Sequence, residues 1–481
     1  MPQLPRPSYE DLDRAVRAQA ARIGELEELV GRLAAENEEL RRRLGSDSSN
    51  SSRPPSSDSP YGKPKPKQSG LRGRSGRKPG KQPGEPGTTR RQVHDPDERI
   101  RVEPGGCGGC GAGLAGAPVV GIQKRQVFEA QPPPPPRVIE YQVVARRCSC
   151  CGRLCYGQAP AWVSAPVVWG PSVHARAVLV TLAHHLPYGR AALVLRQLAG
   201  LAVSVGFLVA ARRRAAVLLE PFMARVRQLL REARLLHVDE TPARVDGDLA
   251  YLHVACNQSY TAMHTGGRSS KDIDAGGVLA DFAGVVVRDG YAGYAHLLAA
   301  EHAWCLAHLL RDLKAVYDAD PDVQLGAQAM AGTLTEALRA TNDARAAGRA
   351  ELEQAQLSRL RSAYAGAIAR MRTDNQPGRT VLQQRGLTLA DRFDGRRDMI
   401  LRFLHDLSVP PTNNAAEREV RPVKVKQRSA GGCWRTLQGL ADFAVIWSYL
   451  STAAKHGLDA LDALTQLFTT GPWLPPDPAP T

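Results

Sequence analysis

Two short apolar runs, each leading into an acid, constrain this chain more than any other feature. Leu235-Leu236-His237-Val238 leads into Asp239, and Val285-Val286-Val287-Arg288 leads into Asp289. Apolar runs of this length, bounded by turn residues, read as buried strands. The intervening sequence fits one sheet. After Asp239 the strand gives way to a turn, and Val245-Asp246-Gly247-Asp248 suits a hairpin. Leu249 to Asn257 and Tyr260 to Thr265 read as the next two strands, and Ser269 to Phe282 as a crossover helix. Gly284 to Arg288 is then a fourth strand, parallel to the first. In open mixed sheets, function collects at strand ends, where both acids stand. A third acid, Glu417, lies in the first turn of a helix that starts in Asn413-Asn414-Ala415-Ala416.

Three meandering strands, a helix and a parallel fourth strand is the order of a ribonuclease-H-like core. Asp239, Asp289 and Glu417 on two strands and a helix can converge on divalent metal. Two ions about 4 Å apart activate an attacking oxygen and stabilise a leaving one. Mg²⁺ (or Mn²⁺) keeps several waters and needs only a few carboxylates. Each acid also has a plainer reading. Asp239 can cap the turn into Thr241-Pro242, Asp289-Gly290 can be a tight turn, and Glu417 stands three residues after Asn414, the spacing of a capping box. Glu417, however, is followed by Arg418, Arg421, Lys424, Lys426 and Arg428. A metal site that grips DNA phosphates needs such cations beside it, and a helix cap does not.

Charge points to the same partner. The formal net charge of the 481 residues is +15. Ten Lys/Arg and one acid fall between Gly62 and Arg91, so more than half of the excess lies in thirty residues. A local cationic excess of that size suits nucleic acid. Pro64, Pro66, Pro79 and Pro83 break this tract, and it follows a helical segment. A basic-region zipper has the opposite order and an unbroken helix. Together with the Ser/Pro-rich stretch from Ser46 to Pro60, the tract reads as disordered linker.

In the preceding helical segment, Ile23, Leu26, Val30, Leu33, Asn37, Leu40 and Leu44 repeat at 3-4 spacing. That is a coiled-coil seam with a polar residue at one a position, and it predicts self-association as a homodimer or higher oligomer. Six of the nine cysteines lie between Cys107 and Cys155. The N-terminus carries no signal-peptide pattern, so clustering favours metal over disulfides. Cys107, Cys110, Cys148 and Cys151 form two Cys-x2-Cys knuckles suited to structural Zn²⁺, with Cys150 or Cys155 as possible substitutes. Ile122 to Glu129 and Arg137 to Arg147 read as the strands of a hairpin between the knuckles, joined through five prolines. No apolar run is long enough to span a membrane. The expected location is cytoplasmic, in association with the nucleoid.

Pro171 to Arg234 is patterned as helices and is a candidate DNA-binding unit, although its arginines also suit a solvated face. Asp322 to Thr373 is rich in Ala, Leu, Arg and Glu and reads as a helical insertion between the second and third acids. His302, Cys305 and His308 make a second cluster of metal-ligand types, read as packed rather than as zinc ligands. His237 shares a strand face with Asp239, and packing is its expected role.

Taken together, His237-Val238-Asp239-Glu240-Thr241-Pro242, Asp289-Gly290-Tyr291-Ala292-Gly293-Tyr294, Cys305-Leu306-Ala307-His308, Asn413-Asn414-Ala415-Ala416-Glu417-Arg418 through Arg421-Pro422, and Gly431-Gly432 resemble the transposases of insertion-sequence family sixty-six. These belong to the DDE superfamily. The likeness covers nearly the whole chain, because the family also carries an N-terminal coiled helix and a four-cysteine zinc segment. It implies that Asp239, Asp289 and Glu417 are the metal-binding catalytic acids and that a helical insertion precedes Glu417. The family usually shows Cys-Trp-Ala-His where Leu306 follows Cys305 here, and the five-proline run is atypical.

The expected architecture is multidomain and mostly α, with an α/β ribonuclease-H-like core. Residues 1–45 form the coil, 46–100 a basic linker, 101–160 a β-hairpin zinc ribbon and 170–233 a helical DNA-binding region. Residues 234–455 form the catalytic domain, with its insertion at about 316–405, and 456–481 a helix and Pro-rich tail. The expected function is a transposase that binds the inverted repeats of its element, cleaves them and transfers strands to target DNA. Accessory transposition proteins are possible partners. A non-catalytic zinc-containing DNA-binding regulator and a coiled scaffold are the competing readings.

Overall fold

The computed structural model describes residues 8–45, 84 and 90–477. The linker of 46–60 and nearly all of the basic tract lie outside the described residues, as do the side chains of Leu40 and Leu44. Helix α1 (Tyr9–Gly45) is followed by strands β1 (Ala145–Arg147) and β2 (Leu154–Tyr156). Next come α2 (Pro171–Val178), a π-helical turn Leu179–Ala183, α3 (Tyr188–Ala199), α4 (Val205–Leu218) and α5 (Glu220–Arg231). The sheet region contains β3 (Leu235–Val245), β4 (Asp248–Cys256), β5 (Thr261–Gly266), α6 (Ser270–Asp274), β6 (Val285–Arg288) and β7 (Glu301–Trp304), with a 3-10 turn at Ala292–His296. Helices α7 (Leu306–Ala319), α8 (Leu325–Ala346), α9 (Gln354–Asp374), α10 (Val381–Gly395) and α11 (Arg397–His405) follow. The described chain closes with α12 (Asn414–Ser429), α13 (Leu437–Lys455) and α14 (Ala460–Thr469). About half of the chain is helical, around one mixed five-stranded sheet.

Strand order in that sheet is β5-β4-β3-β6-β7. The first three strands form an antiparallel meander, and β6 lies parallel to β3, as the sequence pattern predicts. Three details differ. Strand β3 does not end at Asp239 but continues to Val245, because β4 pairs with it along its whole length through the Asp246-Gly247 turn. The crossover contains only the five-residue helix α6, capped by Ser269 and Asp272 and stopped by Gly276-Gly277, where Gly277 adopts φ +70°. Strand β7, parallel to β6, was not expected: it has four residues and begins with polar Glu301-His302.

Both sheet edges are covered. On β5, the N–H groups of Met263 and Thr261 donate to Ser448 Oγ (2.9 Å) and Thr452 Oγ1 (3.1 Å) of α13. On β7, Arg402 of α11 donates to the His302 carbonyl at 2.9 Å.

The helices of 171–231, expected as a region of their own, share one core with the sheet, α12, α13 and α14. Val178, Leu208, Phe222, Leu252, Phe443 and Leu464 are buried together. Helices α7 to α11 enclose a second core around Met330, Leu334, Ile368 and Phe393. Between the knuckles, the expected long hairpin is absent among the described residues. Ile122 and Val127 are exposed, and the proline run offers no N–H groups to a ladder. The hairpin that forms is the three-residue pair β1–β2, which brackets the second knuckle. Helix α1 is unbroken through Gly24 and Gly31 and leaves Ile23, Leu26, Val30 and Leu33 exposed. Among the described residues, no helix is long and apolar enough to cross a membrane.

Candidate functional site

The parallel pairing of β3 and β6 sets the site. Leu235, Leu236 and His237 pair with Val285, Val286 and Val287. Two residues further in the same register, Asp239 stands opposite Asp289, just where β6 has ended. Asp239 lies mid-strand with respect to β4, paired with Val254, yet at a strand end with respect to β6. Burial holds its carboxyl well above the usual carboxylate range, and the charges of Asp289, Glu240 and Glu417 add to the shift. All three neighbours therefore act on one carboxyl.

Asp289 is set by local chemistry. Its Oδ1 accepts from the Tyr291 N–H at 2.9 Å, so the plain turn reading accounts for one of its oxygens. Buried Arg288 braces the same turn, donating at 2.9 Å to the carbonyls of both Asp289 and Tyr291. Arg288 Nε donates at 2.9 Å to His302 Nδ1. Burial, with Arg288 alongside, pushes His302 down to about 4, so its ring stays neutral and accepts. His302 is a structural residue, as expected.

The capping-box reading of Glu417 fails. Asn413 is the N-cap of α12, and no side chain caps that end. Glu417 Oε1 is buried without a hydrogen-bond partner, as is His308 Nδ1, 3.9 Å away. Glu417 is positioned through Asn413. The Asn413 Nδ2 group donates to the Val238 carbonyl (2.7 Å), which fixes the amide so that Oδ1 faces His237 Nδ1 at 3.1 Å. The Asn413 N–H meets Cys305 Sγ at 3.2 Å, and the Cys305 N–H donates to the Arg288 carbonyl at 2.8 Å. One buried amide thus ties β3, the end of β7 and α12 together. The sequence marks Asn413 only as a helix start, and nothing local in it signals the hub.

Glu240 also escaped the sequence reading. Its Oε1 accepts from Arg268 Nη2 at 2.7 Å and its Oε2 from the Tyr294 hydroxyl at 3.0 Å. Arg268 lies over the Tyr291 ring, 3.8 Å from its centroid. Glu240 is therefore paired beside the site, both of its oxygens already engaged. A cavity of about 250 Å³ opens from Asp289, lined by Arg268, Trp304, Cys305, His308 and Arg392 among others.

Among the described residues, the sole group of three or more His, Cys, Asp or Glu ligand atoms within 4.8 Å of one another is Cys305, His308 and Glu417. The ligand atoms of Asp239, Asp289 and Glu417 do not all lie within that distance of one another. The four knuckle cysteines do not form such a group either, but their backbones match. The Cys107 N–H donates to Ala112 O (2.8 Å) and the Gly111 N–H to Cys107 O (2.9 Å). The Cys148 N–H donates to Arg153 O (2.8 Å) and the Gly152 N–H to Cys148 O (3.0 Å). Gly111 and Gly152 both take left-handed φ, +76° and +71°. Backbone N–H groups, those of Cys110 and Cys151 first, lower the Cys107 and Cys148 thiols.

The cations after Glu417 divide by helix face. Arg418, Arg421 and Arg428 are exposed along one stripe of α12. Lys424 is half-buried and donates to the Pro242 carbonyl. Lys426 points inward and is a correction to the expected DNA-binding set: it is buried, with Nζ donating to the carbonyls of Thr181 and Leu186, both at 2.9 Å. Thr181 lies in the π-helical turn and Leu186 beyond it, just before Pro187, and the lysine satisfies both carbonyls. In the 171–231 helices, Arg212 and Arg213 converge at 3.0 Å each on buried Asp442 of α13 and serve packing.

A family model described as a family of unknown function (DUF6444) matches residues 4–91. No match was found among curated proteins. A family model described as Transposase IS66 family matches residues 166–441, a span holding the sheet, helices α2 to α12 and all three acids. The chain belongs to the transposase IS66 family.

Proposed function

We propose that this transposase binds the terminal inverted repeats of its own element, cleaves them and joins the freed 3′-hydroxyls to target DNA. In this reading the sheet is a ribonuclease-H-like core of the DDE type, and Asp239, Asp289 and Glu417 hold two Mg²⁺ or Mn²⁺ ions. The observation that carries it is the register that sets Asp239 opposite Asp289, with Glu417 acting on the same carboxyl.

The residues fit the ions. Burial and, after it, the neighbouring acids raise the Asp239 carboxyl, and divalent charge is what relieves such a site. Glu417 Oε1 is a buried acceptor with nothing to accept from. When bound, such ions activate the attacking oxygen and stabilise the leaving one. The protein's part is positioning. Asn413 orients the Glu417 helix, Arg288 braces the Asp289 turn, and Arg268 pairs with Glu240 so that it does not compete for cations. Arg418, Arg421 and Arg428 offer phosphate contacts along α12.

The two matching knuckles support one structural Zn²⁺ held by Cys107, Cys110, Cys148 and Cys151, which would draw the knuckles together. The exposed seam of α1 supports oligomerisation. A Mg²⁺-dependent nicking assay on duplexes carrying the element ends tests the catalytic reading. Binding without any nicking would favour a non-catalytic regulator.

A further inference from the structure

Cys305 and His308 stand beside Glu417, and the acid chemistry requires neither of them. Cys305 is the N-cap of α7 and His308 stands in its first turn, so this Cys-x2-His spacing presents both side chains toward the start of α12. The three ligand atoms lie within 4.8 Å of one another. Cys305 is buried, while His308 and Glu417 are partly open and the first two line the 250 Å³ cavity beside Asp289, so the group has an entrance. His308 Nδ1 and Glu417 Oε1 face each other at 3.9 Å, both buried and both without a hydrogen-bond partner. Leaving a buried polar atom unsatisfied costs about 1–3 kcal/mol. One cation between the two relieves both.

The donor types decide which cation. Mg²⁺ prefers oxygens in an octahedral shell. A thiolate, an imidazole and a carboxylate suit a borderline-soft ion with tetrahedral preference, and three protein ligands leave its fourth position open. The cavity lined by Cys305 and His308 would give a further ligand access to that position.

We propose that Cys305, His308 and Glu417 form a second metal site for a divalent ion of the zinc class, which shares Glu417 with the cleavage acids. Zinc binding forms a Cys305 sulfur–zinc bond and releases the thiol proton to solvent. Because Glu417 then faces zinc, its occupancy withdraws that acid from the Mg²⁺ set and inhibits cleavage. The inhibition rests on the catalytic reading above; the site itself does not.

The test uses the full-length protein with its knuckle cysteines intact. Zinc per chain is measured after equilibration and desalting for wild type, Cys305→Ser and His308→Gln. Each variant should hold one zinc ion fewer than wild type. On titration with Co²⁺, wild type should show a thiolate-to-cobalt absorption component that is lost in Cys305→Ser. Should Cys305→Ser fold poorly, His308→Gln carries the same stoichiometric comparison. Unchanged zinc content in a folded variant overturns the site. Zinc should also inhibit Mg²⁺-dependent nicking, with the inhibitory concentration at least about tenfold higher in His308→Gln. Absence of nicking in wild type alongside the expected zinc loss would count against the catalytic reading and leave the site standing. Nicking that zinc inhibits equally in both proteins overturns the shared role of Glu417.

Discussion

The side chains of His237 and Asn413 meet at 3.1 Å between a strand and a helix start that lie far apart in the chain. Because Asn413 Nδ2 is committed to the Val238 carbonyl, its Oδ1 must accept, and His237 must carry its proton on Nδ1. Burial lowers the affinity of His237 for a second proton, which keeps the ring neutral. The residue beside the first acid therefore orients the helix that bears the third. Asn413→Ala should cost about 1–3 kcal/mol of stability and raise the Mg²⁺ concentration needed for half-maximal nicking. Thermal unfolding and a metal titration of nicking rate check the two effects separately.

Asp289→Asn should leave binding to element-end DNA intact and eliminate cleavage. Asparagine keeps the Oδ1 acceptor for the Tyr291 N–H, so the turn should survive. A gel-shift and a nicking assay on the same DNA make the comparison, and a variant that still cuts would refute the metal-acid role.

The raised Asp239 carboxyl gives a pH and stability prediction whose sign is fixed. Burial, then Asp289, Glu240 and Glu417, lift it in the folded chain above its value in the unfolded one. Between the two values the native state binds more protons, so stability falls as pH rises through that window. Without added metal, Asp239→Asn should therefore melt higher than wild type at neutral pH. The shift should be about 2–4 °C for each ~1 kcal/mol relieved. Divalent metal should stabilise wild type and have much less effect on the variant, as read by melting curves with and without Mg²⁺.

Cations on α12 should separate by exposure. Arg418→Ala and Arg421→Ala should each lower the salt slope of DNA binding by roughly 1. Lys426→Ala should leave that slope unchanged and destabilise the fold by about 1–3 kcal/mol, because two buried carbonyls lose their donor. Affinity measured at several salt concentrations, alongside thermal melts, distinguishes the two outcomes.

Cys107→Ser together with Cys110→Ser should remove one zinc ion per chain, as measured by metal analysis. Removal of residues 1–45 should lower the mass found in solution by light scattering if α1 mediates self-association.

Much of the fold was legible because its signals are local. Strands β3 to β6 follow from short apolar runs and an Asp-Gly turn. The order of the sheet follows from the order of those elements. Strand β7 was hidden because a four-residue strand with a polar start has no period to read. The long hairpin between the knuckles was over-read from β-branched composition, which does not form a sheet where no face can be buried.

The sequence alone determined which residues could serve: three acids in strand-end and helix-start settings, two cysteine knuckles and a basic stripe after Glu417. Tertiary structure decided which of them meet. The β3–β6 register set Asp239 against Asp289, and packing turned Lys426 inward. The hub through Asn413 brought Glu417 to Cys305 and His308. These are contacts over long separations, fixed by the burial of a shared core rather than by any local preference, so no window of sequence contains them. Asp239, which reads as the end of a short strand, is an end only on the side where β6 stops.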